Sequence, residues 1–332
     1  MRRPTLREDY NFGVSICERL PMPKVANVAL FFIVIAGFSS ARGQIAPPDT
    51  NVPVVATGST SAAPAGGPLV ILNVLVDIKK GATAPISADA LEILEDGTPQ
   101  KIESIAGPGT PVSLCLEIDI SGSMTSKREQ IAGAAKELVK SLPPGSEVMV
   151  SVFADKAYLA APFTPAEAID LSLFDRLKLG HRTALSDSIV SAEQYFVHSA
   201  RYPRRALIII TGGYNNASTH GENEAERAME APGSPFVYAL GLVDPYAPDP
   251  EGRSALQFLD SAGAHIVRVS SIDEISKSAA DISQCIDRQY ALSYRSALTT
   301  PDKRLHKIEV KLPQADKRIK IESLPGYYIP SH

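Results

Sequence analysis

Val112-Ser-Leu-Cys-Leu-Glu-Ile-Asp119-Ile-Ser121-Gly-Ser123-Met124 is the stretch on which the fold turns. Its first part, Val112–Ile118, is a short and mostly apolar run, the pattern of a strand covered on both faces. Its second part places one carboxylate and two hydroxyls within five residues, just beyond the strand, with Gly122 free to take dihedrals closed to other residues. Hard oxygen donors of this kind suit Mg²⁺ or Mn²⁺, which keep several waters and accept few protein ligands. Ser and Asp also crowd strand-to-helix turns as helix caps. The motif alone leaves cation binding and capping open.

Further runs of the same kind follow outward from this strand: Val148–Phe153, Ala206–Ile210, Phe236–Leu242 and His265–Val269. Between them lie helical patterns. Over Ser126–Leu142 the residues Ile131, Ala135, Leu138 and Leu142 share one stripe, Ser126 and Glu129 have capping-box spacing, and Pro143 stops the helix. Ala184–Ser199 and Ile272–Ile286 repeat the pattern, and Glu222–Glu230 reads as a solvated helix face. Strands alternating with helices over 111–287 predict a doubly wound, mainly parallel α/β sheet with ligands at the carboxyl ends of its strands.

A second loop bears on the first. Gly180-His-Arg-Thr183-Ala184-Leu185 brings Thr183 to the start of a long helix, and so another hydroxyl to the same sheet edge. With these residues the sequence resembles the von Willebrand factor A (VWFA) domain family. The resemblance implies a Rossmann-like fold and a metal-ion-dependent adhesion site, with Asp119, Ser121, Ser123 and Thr183 matching its first two loops residue by residue. It further implies Mg²⁺ (or Mn²⁺) held directly by the three hydroxyls, a bound water oriented by Asp119, and an acidic side chain of a partner protein completing the metal shell. Two residues rather than one separate Gly180 from Thr183.

The third loop departs from the family. Where the family carries Thr-Asp-Gly, this chain reads Thr211-Gly212-Gly213-Tyr214-Asn215-Asn216, so Gly212 stands in place of an aspartate. One carboxylate remains of the two the resemblance implies. Asn215 or Asn216 could offer a neutral oxygen, but neither restores the charge. Two readings follow: a protein-binding or adhesion module with a degenerate metal site, and a metal-independent interaction protein on the same fold.

On either side of the α/β segment the sequence alternates with period two. Leu72, Val74, Val76 and Ile78 alternate with Asn73, Leu75 and Asp77, which predicts a strand with one wetter face. Asp96-Gly97 between Leu91–Glu95 and Gln100–Glu103 is a hairpin turn signal, and Gln289–Arg295, Leu305–Leu312 and Arg318–Leu324 alternate again. These flanks predict a small β domain from residues 69–110 and 288–332 into which the VWFA domain, 111–287, is inserted. Taken with the flanks, nearly the whole of residues 69–332 resembles the secreted VWFA-related proteins of Acidobacteria.

The amino terminus reads as an address. Val25–Phe38 is an apolar run of 14 residues preceded by Lys24 and followed by Ser39-Ser40-Ala41. That is short of the roughly 20 residues needed to span hydrocarbon and has the layout of a secretory signal peptide, residues 1–41, with Met22 as an alternative start. Cleavage after Ala41 removes five basic and three acidic residues, moving the net charge from -4 to -6. The alternative is an uncleaved anchor formed by residues 25–38, the one route to a membrane. Either way the remainder is expected outside the cytoplasm, extracellular or periplasmic, on a Pro/Ala/Ser/Thr-rich tether at 42–68.

Composition closes off other classes. With 33 Lys+Arg against 37 Asp+Glu there is no basic surplus for nucleic acid. Three cysteines without a CxxC exclude zinc-finger and iron–sulfur patterns, and Cys115 and Cys285 are expected as two buried thiols rather than a disulfide. No enzyme is expected: Ile120-Ser-Gly-Ser-Met lacks the glycines of a nucleophile elbow, no HExxH pairing occurs, and a Ser121–Asp187–His181 triad would place its histidine on an exposed loop.

Overall fold

The computed structural model describes residues 67–78, 86–242, 250–298, 302, 304–313 and 319–329. The address segment 1–41, nearly all of the tether 42–68, and Lys80-Gly81 lie outside the described residues. Fourteen strands are placed: β1 (Leu69–Ile78), β2 (Glu92–Glu95), β3 (Thr98–Gln100), β4 (Ile102–Ala106), β5 (Ser113–Asp119), β6 (Glu147–Phe153), β7 (Ala157–Pro165), β8 (Arg205–Thr211), β9 (Phe236–Gly241), β10 (His265–Arg268), β11 (Gln289–Arg295), β12 (Leu305–Lys311), β13 (Ile319–Ser323) and β14 (Gly326–Tyr328). The helices are α1 (Arg128–Lys140), α2 (Leu185–Ser199), α3 (Glu222–Met229), α4 (Pro250–Ser261) and α5 (Ile275–Asp287). Among the described residues no helix is long and apolar enough to cross a membrane.

A six-stranded sheet in the order β10-β9-β8-β5-β6-β7 forms the centre, parallel throughout except for β7. Its four inner strands, β9, β8, β5 and β6, are buried on both faces because helices cover both. On one face Leu114, Leu116 and Ile118 pack with α1 (Ile131, Leu138) and α5 (Ile275, Ile282). On the other, Cys115, Leu207 and Ile209 pack with α2 (Leu185, Ile189, Phe196), α3 (Met229) and α4 (Leu256, Leu259). This is the doubly wound arrangement that the both-sided apolar runs predict.

Strands from both flanks of the sequence make two further antiparallel sheets, β13-β1-β11-β4 and β14-β12-β2-β3, which share one apolar cluster including Val74, Ile93, Leu292, Tyr294 and Tyr327. Asp96 and Gly97 both adopt positive φ (48° and 81°) in the β2–β3 hairpin, the conformation this tight turn requires. Tyr327 and Tyr294 donate their hydroxyls to Glu95 Oε1 (2.6 and 2.7 Å), and Ser296 Oγ donates to Oε2 (2.8 Å), so a buried carboxylate ties the two sheets together.

Four local expectations are corrected. The face of β1 read as wetter is buried: Leu75 joins the core under the parallel sheet, and Asn73 forms a polar joint. Its Oδ1 accepts from Arg205 N (2.9 Å) and Gln289 Nε2 (3.0 Å), while its Nδ2 donates to Ser234 O (3.1 Å). The Ser126/Glu129 capping box does not form, because Gly122–Lys127 winds as a 3-10 turn and α1 begins only at Arg128 with Lys127 in the cap position. The Glu222–Glu230 segment is not a wholly solvated face, since Ala225, Met229 and Glu230 are buried. Finally, β7 and α4 are additional elements: β7 is an edge strand whose large apolar residues Tyr158 and Leu159 stay exposed, so it lacks a buried strand's pattern.

Buried Arg204 fastens the α/β body to the antiparallel sheets. Its Nε donates to Gln289 O (3.1 Å), its Nη2 to Ile286 O (2.5 Å) and its Nη1 to Thr110 O. This joint and that of Asn73 gather at the amino ends of β8 and β9. The carboxyl ends of the parallel strands are left to the loops.

Candidate functional site

Asp119 is the last residue of β5, and Thr211-Gly212 leaves the end of β8 beside it. The Asp119 side chain is about 1% exposed. Its Oδ1 accepts from Ser121 N (2.8 Å), and its Oδ2 accepts from Thr211 Oγ1 (2.9 Å) and Gly212 N (3.2 Å). Burial raises its pKa above the usual carboxylate range, and the donors from Ser121, Thr211 and Gly212 work against that shift. Among the described residues the carboxylate is held by these hydrogen bonds and makes no ion pair.

The Ser121 and Ser123 hydroxyls converge to 3.1 Å, Ser121 buried and Ser123 exposed. Backbone bonds tie this first loop to the second: Gly122 N donates to His181 O (3.3 Å) and Gly180 N to Ile120 O (2.8 Å). A Cβ at Gly180 would lie only 2.3 Å from Ala154 Cβ, so this close approach needs glycine. Thr183 is buried at the entrance of α2. Its carbonyl accepts from Asn216 N (2.9 Å) and Ala217 N (3.0 Å), and its N–H donates to Asn216 Oδ1 (2.9 Å).

The asparagines of the third loop therefore act as clamps. Asn215 Oδ1 accepts from Ser186 N (3.3 Å) and Ser218 Oγ (2.6 Å), and its Nδ2 donates to Ser186 Oγ (2.8 Å). With both acceptor positions of Oδ1 engaged at the start of α2, Asn215 serves as a brace between loops two and three. Sequence reading missed this role; contacts 29 to 33 residues apart leave no local signal. Asp187 also braces the third loop, accepting from His220 N (2.8 Å) and Thr219 N (3.0 Å) with His220 Nδ1 at 2.8 Å. Its carboxylate is thereby engaged by Thr219 and His220 of the third loop.

Gly212 faces the same point. A Cβ built there would meet Ser123 Oγ at 3.3 Å and Met124 Sδ at 3.4 Å, so a side chain at 212 projects onto the paired hydroxyls. Among the described residues no group of three or more His, Cys, Asp or Glu is placed to hold a metal. The donors here are instead hydroxyls around one carboxylate. That set fits a hard divalent cation, with low ligand charge.

The family model described as the von Willebrand factor type A domain matches residues 114–215, a span that runs from β5 through the third loop. Over these residues the chain carries a von Willebrand factor type A domain. No curated protein matches the chain. Among solved structures, it is similar to proximal thread matrix protein 1 of the mussel byssus at 16% identity and a TM-score of 0.48, covering 58% of this chain and 51% of that one. The chain thus spans about half the length of the mussel protein. It is also similar to a von Willebrand factor type A protein from Catenulispora acidiphila (10% identity, TM-score 0.45, 80% of this chain and 75% of that one). A third is the conserved hypothetical protein BatB from Bacteroides thetaiotaomicron (25% identity, TM-score 0.39, 52% and 98%).

Proposed function

We propose that the chain is an exported protein-interaction module, secreted or held at the envelope through residues 25–38, whose docking face is the carboxyl edge of its von Willebrand factor type A sheet. The reading rests on one observation: the Ser121 and Ser123 hydroxyls converge at 3.1 Å beside a buried Asp119 carboxylate that is held by peptide and hydroxyl donors. Asp119, Ser121, Ser123 and Thr183 are the residues that would hold Mg²⁺ or Mn²⁺. When bound, the cation supplies an open coordination position for an acidic side chain of a partner protein. Asp119 supplies the negative charge of the site, and the peptide donors of Ser121 and Gly212 fix its orientation. Asn215, Asn216 and Asp187 hold loops two and three together independently of any ion.

That independence favours a second reading, in which the same face binds protein without metal. Calorimetric titration of Mg²⁺ and Mn²⁺ into the full chain and into Asp119→Ala separates the two. A saturable heat in the wild type that is absent from Asp119→Ala supports the cation site. Identical titrations in both proteins reject it and leave the metal-independent face.

A further inference from the structure

We propose that Cys285, His265 and Glu322 form a thiol site that reacts with small electrophiles of the peroxide class. The three side chains come from α5, β10 and β13, where the edge of the parallel sheet meets an antiparallel sheet, on elements that carry none of the cation-face residues. Cys285 Sγ lies 3.9 Å from His265 Nε2, and His265 Nδ1 lies 3.0 Å from Glu322 Oε2. Arg288 Nη2 donates to the sulfur from 3.5 Å. The order of contacts is nucleophile, imidazole and orienting carboxylate, the general arrangement of an activated nucleophile.

The surroundings of the imidazole are settled by charge. The Tyr238 ring meets it edge-on at 6.0 Å from β9, and Lys320 Nζ contacts the other oxygen of Glu322 at 2.8 Å. The contacts to Cys285 and then to Glu322 raise the His265 pKa to about 9, so the ring keeps its proton through the neutral range. The sulfur thus lies within contact of two donor groups, the imidazole Nε2 and the Arg288 guanidinium. On the His265 and Glu322 side of the group opens a cavity of about 520 Å³ lined by Asp260, Gly263, His265, Arg268, Lys320 and Glu322, and the imidazole stands between it and the sulfur's contact at Nε2. Cys285 is 7% exposed, so only a small reagent reaches it. Cys115 has the opposite setting: it is fully buried against Glu117, and burial pushes its thiol pKa up.

The reaction is balanced with the peroxide as oxidant. The Cys285 thiol gives its proton to solvent, the thiolate sulfur attacks one peroxide oxygen, the O–O bond breaks, and the departing hydroxide takes the proton of His265 to leave as water. The sulfur becomes a sulfenic acid, oxidised by two electrons, and the peroxide is reduced by two. Glu322 is a positioning residue: it holds the ring and keeps it protonated.

The test is hydrogen peroxide oxidation of the folded full chain, quenched with catalase, denatured, blocked with N-ethylmaleimide and read by peptide mass spectrometry. Cys285 and Cys115 are followed on separate peptides, and Cys17 on its own. The expected result is that Cys285 oxidises at least about tenfold faster than Cys115, and that His265→Gln removes this advantage without altering Cys115. Glu322→Gln, on a partly exposed residue, serves if His265→Gln fails to fold. It moves the pH at which the rate loses its dependence on protonated His265 from about 9 toward the ordinary histidine range. Equal rates for the two cysteines, a His265→Gln rate equal to wild type, or an unmoved pH break in Glu322→Gln overturns the proposal.

Discussion

Restoring a carboxylate at position 212 is the most informative perturbation of the cation face. In Gly212→Asp the new Cβ lies 3.3 Å from Ser123 Oγ and 3.4 Å from Met124 Sδ, tight enough that both must yield by a few tenths of an ångström. The added charge sits over the same hydroxyls as Asp119. At about 4 Å, one extra unit charge contributes roughly 1 to 4 kcal/mol of attraction per opposing unit charge in a wet, near-surface setting. A net gain of about 1.4 kcal/mol tightens cation affinity tenfold. With cation in excess this adds about 1.4 kcal/mol to folding stability, or about 3 to 5 °C in Tm for a domain of this size. Without cation the sign reverses, because two carboxylates share one site. The assay is thermal unfolding in EDTA and in excess Mg²⁺, with Gly212→Asn as the control that adds the same Cβ without charge. The expected result is a lower Tm than wild type in EDTA and a larger Mg²⁺-dependent rise, confined to the aspartate. A rise no larger than that of wild type, or one shared by the asparagine, refutes the assignment of position 212 to a cation shell.

Three other predictions concern the body of the protein. Arg204→Ala leaves the carbonyls of Thr110, Ile286 and Gln289 without their buried donor, and chemical denaturation should show a loss of about 3 to 5 kcal/mol. Glu95→Ala orphans the buried hydroxyls of Tyr294 and Tyr327, with an expected loss of about 2 to 5 kcal/mol by the same measurement. Neither carboxyl oxygen of Glu193 has a hydrogen-bond partner, the Ser234 hydroxyl beside it donating instead to Ala228 O, and burial raises its pKa to about 8. Between about pH 4.5 and 8 the folded state therefore holds a proton that the unfolded state has lost, and stability falls as pH rises. Glu193→Gln should reduce that slope by up to about 1.4 kcal/mol per pH unit in urea melts, and an unchanged slope would count against the assignment.

What the sequence displayed and what it hid follow from the range of the interactions. β5, β6, β8 and β9 are legible because strands covered on both faces must be apolar at nearly every position. β7 is not, because an antiparallel edge strand has one solvated side; it places Tyr158 and Leu159 in water and includes Pro162 and Pro165. The alternation of β1 was legible, yet its polar position was misread. Asn73 is polar because it bonds the backbone of Arg205 and Ser234, partners more than 130 residues away. At the site, Asp119, Ser121 and Ser123 are compressed into one turn and visible as a motif. The clamps made by Asn215 and Asn216 and the approach of Cys285 to His265 and Glu322 exist only after the chain has folded.

The glycine at position 212, where the resemblance implies an aspartate, acquires a physical meaning from those clamps. Asp119 receives its hydrogen bonds from Ser121, Thr211 and Gly212 itself, the last through a peptide N–H that any residue would supply. Thr183 is fixed through both its N–H and its carbonyl by loop three. Losing the carboxylate at 212 therefore removes negative charge without removing a structural contact among the loops. A bound divalent ion would keep more of its positive charge than in a two-carboxylate shell, which weakens its capture by the protein and strengthens its hold on an acidic partner. Affinity for the cation should accordingly rise when the acidic partner is present, and by linkage affinity for the partner should rise by the same factor when the cation is present. Measuring the affinity of one acidic partner peptide with and without the cation checks the argument, since a factor of one would mean that the two ligands do not share this site.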